Sequence, residues 1–267
     1  MPESNQTTAV GRTLADLGEF FASTDFEWIT DNPAEADTYN NLLRWKNTDV
    51  AHAVLLHETE RAGIKSSRIL RESFAAALQS PKYPSGPPYY KVEGLEQIEG
   101  TSLIFGIREV GIDYEHPEPC FVLLEAAFEK ASDGLPTIVK TFKKALEFVP
   151  TVEGFEDLHF GLSSLESNAK DATFVAATSS EKGEDFKTAF WIFSRVDGRF
   201  TQPKLLRDST GKALVVTHKV EGIVFESEDT LLAICDDDRA LTTLDTPKGP
   251  ATRKPNEAAY FRIKLSY

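Results

Sequence analysis

The chain has 267 residues, of which 41% are hydrophobic and 18 are phenylalanine, so it can bury a sizeable core. Its formal net charge of −13 repels the phosphates of nucleic acids and of anionic membranes, and we find no local basic patch that would offset this repulsion. We therefore expect a cation, together with a small anionic ligand or a protein partner, and we exclude nucleic acid and membranes.

The N-terminal residues and the cysteines indicate the compartment. No apolar run reaches the length of about 18 residues that spans a membrane, and the first residues, Met1 to Gln6, lack the basic and apolar regions of a signal peptide. We expect a cytoplasmic protein. Cys120 and Cys235 fall in different predicted repeats, so we expect free thiols and no disulfide between them.

The first predicted element is a strand at 8–14, and a recurring motif follows it. The motif is an apolar residue, a glutamate and, two positions after the glutamate, another apolar residue. It recurs about every 65 residues, a spacing typical of repeat architectures, and its glutamates are Glu27, Glu93, Glu156 and Glu221.

Short runs rich in β-branched and aromatic residues follow each motif, and such residues favour strands. They predict second strands at 41–45, 102–107, 172–176 and 230–235, third strands at 52–57, 120–128, 189–196 and 258–265, and fourth strands at 68–70, 137–142 and 204–207. Two segments, 73–78 and 142–148, contain good helix formers and are interpreted as decorations between the repeats.

These elements predict an all-β fold, namely a four-bladed β-propeller that forms a single domain over 1–267. The predicted blades are about 19–75, 85–149, 150–212 and 213–267. The last repeat ends after its third strand, so we expect the N-terminal strand 8–14 to complete it and close the ring, which removes two exposed sheet edges. A β-sandwich or barrel is the alternative, because regularly spaced strands are typical of these folds too.

The first strand of each propeller blade lines the central pore, so the four glutamates would form a ring there. Carboxylates this close repel one another unless a cation, a base or backbone amides compensate them. Ca²⁺ or Mg²⁺ suits such a ring because both ions prefer oxygen ligands, and we expect Glu27, Glu93, Glu156 and Glu221 to bind one of them. The alternative is structural: the glutamates accept hydrogen bonds from the next blade or pair with a base such as Arg108.

Four residues near the motifs and the strand ends are candidates for catalysis. Arg108 could orient a substrate anion, and Asp236 belongs to the densest acidic cluster of the chain. His159 and His218 adjoin the glutamate motifs, where a general base would have to lie. No G-x-S-x-G elbow, P-loop or G-x-G-x-x-G sequence is present.

The segments Val92-Glu93-Gly94-Leu95 and Val220-Glu221-Gly222-Ile223 resemble glutamate–glycine strands of uncharacterised bacterial propellers and of the calcium-activated nucleotidase (apyrase) family. That family is a five-bladed propeller with a pore calcium ion, and it hydrolyses nucleoside di- and triphosphates. The resemblance implies that Glu93 and Glu221, and by repeat symmetry Glu27 and Glu156, are calcium ligands. This chain differs in having four repeats and no basic cluster to hold a polyphosphate.

The sequence thus predicts a divalent-cation-binding propeller with two functional interpretations. In the first, it is a metal-dependent hydrolase of a phosphoester or another ester. In the second, it is a non-catalytic protein-interaction platform whose pore glutamates are structural.

Overall fold

A computed structural model describes residues 10–14, 19–28, 32–46, 48–49, 51–98, 102–130, 136–168, 170, 172–182, 185–237, 243–246, 248–252, 254 and 257–266. The chain divides into two compact units, Met1–Glu147 and Phe148–Tyr267. Antiparallel strands dominate both units, so the all-β prediction is confirmed. None of the sheets formed by the described residues closes into a barrel.

The first unit contains two four-stranded antiparallel sheets. The strands of the first sheet are β1 (Val10–Leu14), β2 (Glu19–Ser23), β3 (Leu42–Lys46) and β4 (Val54–Leu55), paired in that order. The strands of the second sheet are β7 (Tyr89–Ile98), β8 (Ser102–Gly111), β9 (Pro117–Lys130) and β10 (Pro136–Phe148), also paired in chain order. The remaining elements are helix α1 (Pro33–Ala36), a 3₁₀ helix (Asp37–Tyr39), the hairpin β5 (Thr59–Arg61) and β6 (Ile64–Ser66), and helix α2 (Leu70–Ala77).

The second unit contains the third and fourth sheets. The third sheet consists of β11 (Gly161–Asn168), β12 (Thr173–Lys182) and β13 (Asp185–Val196), with the short strands β14 (Arg199–Phe200), β15 (Lys204–Leu205) and β16 (Val215–Val216) paired to β13. The fourth sheet consists of β17 (Val220–Ser227), β18 (Thr230–Cys235) and β21 (Ala259–Lys264). A separate hairpin is formed by β19 (Thr243–Thr246) and β20 (Gly249–Thr252).

The N-terminal strand lies in the first sheet, and the prediction that it completes the last blade is wrong. Val10 pairs with Ser23 and Leu14 with Glu19, which makes β1 the antiparallel neighbour of β2. Only four residues separate these strands in the sequence, so this pairing closes a short loop at low entropic cost. Residues 8 and 9 of the predicted strand lie outside the described residues.

The first repeat consequently begins one strand earlier than predicted. The run at 41–45 corresponds to β3, the third strand of its sheet, and the run at 52–57 contains the fourth strand, β4. The predicted fourth strand at 68–70 is wrong, because α2 begins at Leu70. In the other repeats the second and third strands lie where the sequence predicts them.

Helix α2 is part of the core of the first unit and not a decoration. Its Phe74 is fully buried and packs against the rings of Phe26, Tyr90, Phe105 and Phe142, with centroid distances of 5.0, 5.7, 5.1 and 4.3 Å. The other proposed decoration, 142–148, belongs to strand β10. Pairing with β9 makes this segment a strand, and Phe142 and Leu146 are its buried residues.

Cys120 and Cys235 are both free, as predicted. Burial is the main cause that raises the pKa of the Cys120 thiol above its usual range, so this thiol is neutral at ordinary pH. Within the part of the chain that the structure describes, no helix has both the length and the apolar character needed to cross a membrane.

Candidate functional site

The tetrapeptide Lys-Val-Glu-Gly occurs twice, at 91–94 in β7 and at 219–222 in β17, each time in the first strand of the last sheet of its unit. In β7, Val92 pairs with Ile107 and Gly94 with Gly106, so Glu93 is an extra residue, a β-bulge. In β17, Val220 pairs with Cys235 and Gly222 with Ile234, so Glu221 is the extra residue. The two motif glutamates therefore occupy equivalent bulges.

The first strand of the third sheet has the same bulge with a different side chain. Leu162 pairs with Thr178 and Ser164 with Ala177, which leaves Ser163 as the extra residue. Ser163 is fully buried, and its Oγ has no hydrogen-bond partner among the described residues. Three first strands thus carry an oxygen-bearing side chain at the same bulge.

Lys91 joins the bulge of the second sheet to the end of β2 in the first sheet. Its Nζ lies 2.8 Å from Glu93 Oε1, 3.1 Å from Glu27 Oε1 and 4.0 Å from Asp25 Oδ2. The backbone N–H of Val92 also donates to the carbonyl of Asp25, at 2.7 Å. Burial acts to lower the pKa of Lys91, but the carboxylates of Glu93, Glu27 and Asp25 outweigh it and raise that pKa well above its ordinary value. The ammonium is therefore charged and holds the two sheets together.

Two further side chains extend this cluster. Arg108 is buried, with Nε 3.2 Å from Glu109 Oε1 and Nη1 3.8 Å from Glu93 Oε2. The hydroxyl of Tyr89 lies 3.2 Å from Glu109 Oε2 and 3.4 Å from Glu27 Oε1, so these two carboxylates share its one proton. Burial, followed by the nearby carboxylates of Glu27 and Glu109, raises the pKa of Tyr89 above its usual range.

The ion pairs of the first unit join four acids to two bases. The acids are Asp25, Glu27, Glu93 and Glu109, and the bases are Lys91 and Arg108. Asp25, Glu93 and Arg108 also make further interactions, so each of these charges has more than one neighbour.

Lys219 plays the same part in the second unit. Its Nζ lies 3.1 Å from Glu221 Oε1 and 3.4 Å from Glu181 Oε1, near the end of β12 in the third sheet. Side chains of β11 also bind the backbone of β17, because Ser164 Oγ accepts from the N–H of Ile223 at 3.2 Å. Each lysine therefore connects its own bulge glutamate to an acid of the preceding sheet.

A buried aspartate orients a histidine beside Lys219. Asp237 is fully buried, and its Oδ2 lies 2.9 Å from Nδ1 of His218 while its Oδ1 accepts from the N–H of Lys219 at 2.8 Å. If Nδ1 donates to the Asp237 carboxylate, a neutral imidazole has its lone pair on Nε2. The arrangement can accept a proton at Nε2.

The four predicted metal ligands do not occupy equivalent positions. Glu93 and Glu221 lie in first strands, whereas Glu27 follows the second strand of its sheet and shares the ammonium of Lys91 with Glu93. Glu156 is exposed in the turn before β11, where its Oε1 accepts from the N–H of Gly154 at 2.9 Å. Hydrogen bonds from the backbone of Gly154 and of Glu156 itself lower the pKa of Glu156. The expected equivalence is thus wrong for Glu27 and Glu156, and Ser163 occupies the position expected for Glu156.

The catalytic candidates differ in their surroundings. The Arg108 guanidinium faces carboxylates and is almost entirely buried, which is a poor arrangement for orienting a substrate anion. His159 is exposed on the same turn as Glu156. Asp236 is partly buried, and its N–H donates to the carbonyl of Lys219 at 2.9 Å. Of the candidates, His218 has the geometry of a general base.

Sequence reasoning missed Lys91, Lys219, Ser163 and Asp237. A signal for the lysines was present, because Val-Glu-Gly is preceded by lysine at 92–94 and at 220–222, although Thr151 precedes its third occurrence at 152–154. Ser163 had no such signal, since the chance match at Glu156 fitted the repeat spacing better. A burial pattern alone would not have distinguished Asp237 from its acidic neighbour Asp236.

Within the described ranges, no three or more His, Cys, Asp or Glu side chains are grouped so that they could hold a metal ion. No protein-family model matches the chain, and no curated protein matches it either.

Proposed function

We propose that the four sheets are the blades of a four-bladed propeller and that the chain binds a divalent cation, Ca²⁺ in the first place, through Ser163 and Glu221, the bulge residues of two neighbouring strands of the second unit. One observation carries the proposal: the bulge residues of β7, β11 and β17 each have a buried side-chain oxygen atom, which is the kind of atom that binds a hard cation. The blade assignment is supported by the chain-order pairing of the sheets and by the neighbouring first strands, β1 beside β7 and β11 beside β17.

The donor set suits a hard cation. Carboxylate and hydroxyl oxygens are the ligands that Ca²⁺ prefers, and neither cysteine lies at a bulge. The Ser163 hydroxyl fits this role best, because a buried hydroxyl without a partner in the described residues costs free energy that a bound ion would recover. Lys219, which lies beside Glu221, competes with the ion, so we expect modest affinity.

A second candidate function is a non-catalytic binding module for a protein partner, in which the glutamates are structural. It is favoured by Lys91 and Lys219, whose ammonium groups already lie within 3.1 Å of a bulge glutamate. In this case the internal cations compensate the carboxylates and no metal ion is required.

Calorimetric titration of the chelator-treated full chain with Ca²⁺ and Mg²⁺ separates the two candidates. We expect Ca²⁺ binding that weakens by about tenfold or more, or about 1.4 kcal/mol, in Ser163→Ala and in Glu221→Gln. Glu156→Gln is the matched control, because it removes an exposed glutamate of the same motif and should leave the affinity unchanged.

Thermal unfolding with and without Ca²⁺ provides a second measurement, since an ion that binds the native state raises the unfolding temperature. If the wild type shows neither heat of binding nor stabilisation, the cation proposal is wrong and the glutamates are structural. If Glu156→Gln weakens binding as much as Glu221→Gln does, the bulges are not the site.

A further inference from the structure

His52, His116 and His218 each lie within hydrogen-bond distance of an aspartate, and of these three pairs the one at His218 is the most buried. The exposed pairs are His52 with Asp49 and His116 with Asp113, each three residues apart in the sequence. His218 and Asp237 lie on different strand ends, and the side chain of Asp237 has 0% exposure while that of His218 has 18%. An imidazole with one accessible edge and a buried carboxylate behind it is the arrangement of a general base.

Thr188 and Asp237 fix the backbone at and after His218 by hydrogen bonds. Thr188 Oγ1 donates to the carbonyl of His218 at 2.7 Å, and the same oxygen accepts from the N–H of Val220 at 3.2 Å. Asp237 fixes the ring through Nδ1 and the following residue through the N–H of Lys219. Nε2 makes no hydrogen bond within the part of the chain that the structure describes, so it can accept a proton from a ligand.

The first unit has the same framework without the imidazole. Tyr90 precedes its Lys-Val-Glu-Gly segment as His218 precedes the second one. Glu109 lies two residues after Ile107, the partner of Val92, as Asp237 lies two residues after Cys235, the partner of Val220. The ring of Tyr90 is fully buried and directed to Arg71 and Phe74. The proton-accepting group is therefore particular to the second unit.

We propose that His218 is the catalytic base of a water-dependent hydrolysis of an uncharged carboxylic ester, with Asp237 as its positioning residue. Nε2 takes a proton from water as the water oxygen bonds to the ester carbonyl carbon. The bond from that carbon to the leaving alkoxide then breaks, and His218 returns the proton to the alkoxide. The products are a carboxylic acid and an alcohol.

The charges of the surroundings favour this substrate class. The ammonium of Lys219 is shared between Glu181 and Glu221, so no uncommitted cation lies next to the imidazole among the described residues. A chain of net charge −13 repels the dianion of a phosphate monoester, whereas an uncharged ester meets no such repulsion.

The test measures turnover by the full chain with p-nitrophenyl acetate and p-nitrophenyl phosphate, each in large excess over protein. We expect many turnovers with the acetate and none with the phosphate. His218→Gln should lower the acetate rate by about 10²- to 10⁴-fold, whereas His52→Gln and His116→Gln, which remove the exposed histidine–aspartate pairs, should leave it unchanged.

Asp237→Asn tests the positioning role without removing the backbone contact. The amide oxygen can still accept from Lys219, but the amide nitrogen donates to Nδ1 and forces the proton onto Nε2. We expect kcat to fall with little change in KM.

Absence of turnover with the acetate overturns the proposal, as does turnover that survives His218→Gln or that falls equally in the two surface variants. Turnover of the phosphate alone overturns the substrate class. Ca²⁺ titration of His218→Gln keeps the two proposals separate, because this variant should bind the ion as the wild type does. Loss of ion binding in Glu221→Gln with catalysis retained would count only against the cation site.

Discussion

The ammonium of Lys91 lies 2.8 Å from the carboxylate of Glu93, two residues further along the same strand, and 3.1 Å from that of Glu27 beyond the end of β2. The ammonium of Lys91 thus balances the negative charge of carboxylates from two sheets. Charges in such a cluster depend on one another, because removing one partner leaves the others desolvated and uncompensated.

Lys91→Met should strongly destabilise the first unit. Its methylene packing is largely kept, but the carboxylates of Glu93 and Glu27 lose their common cation, and we expect the free energy of unfolding at pH 7 to fall by about 3–5 kcal/mol. Urea unfolding measures the loss. Lys82→Met, which removes a pair with Glu118 at the surface, should cause no measurable change. An equal loss in both variants would mean that Lys91 contributes no more than a surface lysine.

Because of the same cluster, the free energy of unfolding should decrease as the pH rises through the alkaline range. The folded-state pKa values of Lys91 and Tyr89 are both raised, so the native state holds these protons more tightly than the unfolded chain does. Their contribution is fully present below the unfolded pKa values, about 10.4 for lysine and about 10 for tyrosine, and it is lost as the pH rises above them. Urea unfolding between pH 9 and pH 11 should show falling stability in the wild type and a smaller slope in Tyr89→Phe. An unchanged slope in this variant would contradict the assignment to Tyr89.

Two neighbouring serines should respond differently to replacement by alanine. Ser163 Oγ has no hydrogen-bond partner within the described residues, so Ser163→Ala in chelator should change the free energy of unfolding by less than about 0.5 kcal/mol or increase it. Ser164 Oγ accepts from the N–H of Ile223, and Ser164→Ala should cost about 1–3 kcal/mol by leaving that donor unsatisfied. Thermal unfolding compares them. A larger loss from Ser163→Ala would show that its hydroxyl has a structural partner.

Replacement of Phe74 tests whether α2 belongs to the core. Phe74→Ala removes a ring that contacts Phe26, Tyr90, Phe105 and Phe142, and we expect it to cost about 3–5 kcal/mol of stability. Glu72→Ala, on the same helix but outside this aromatic cluster, should change stability by less than about 0.5 kcal/mol. Urea denaturation of the two variants gives the comparison. A loss below about 1 kcal/mol for Phe74→Ala would mean that helix α2 does not contribute to the core.

The strands were predictable from the sequence where a single periodic run forms a complete strand. The run at 230–235 coincides with β18, because alternating buried residues such as Leu231 and Ala233 mark its inner face. The segment 142–148 could not be assigned in this way, since its Lys and Glu residues favour a helix locally while sheet pairing imposes a strand. Tertiary pairing likewise decided the position of β1, for which alternation alone gave no partner.

The site was predictable only where its chemistry repeats in the sequence. Glu93 and Glu221 lie at bulges within matching tetrapeptides, and regular spacing identified them. The same spacing selected Glu156, which lies in an exposed turn seven residues before the true bulge at Ser163. A bulge is a feature of pairing between two strands, so the residue that occupies it cannot be identified from one strand alone.

The bulges of β7, β11 and β17 also have a consequence for how such a protein can diversify. A bulge residue has no partner residue on the neighbouring strand, so it can be replaced without changing how the residues beside it are paired. Both glutamate and serine occur at this position. Each of these three strands therefore has one position whose side chain can change while the pairing of the strand stays the same. Ser163→Glu would place a third carboxylate in this set while the strand register stays the same, which makes the position a starting point for engineering new ligand preferences.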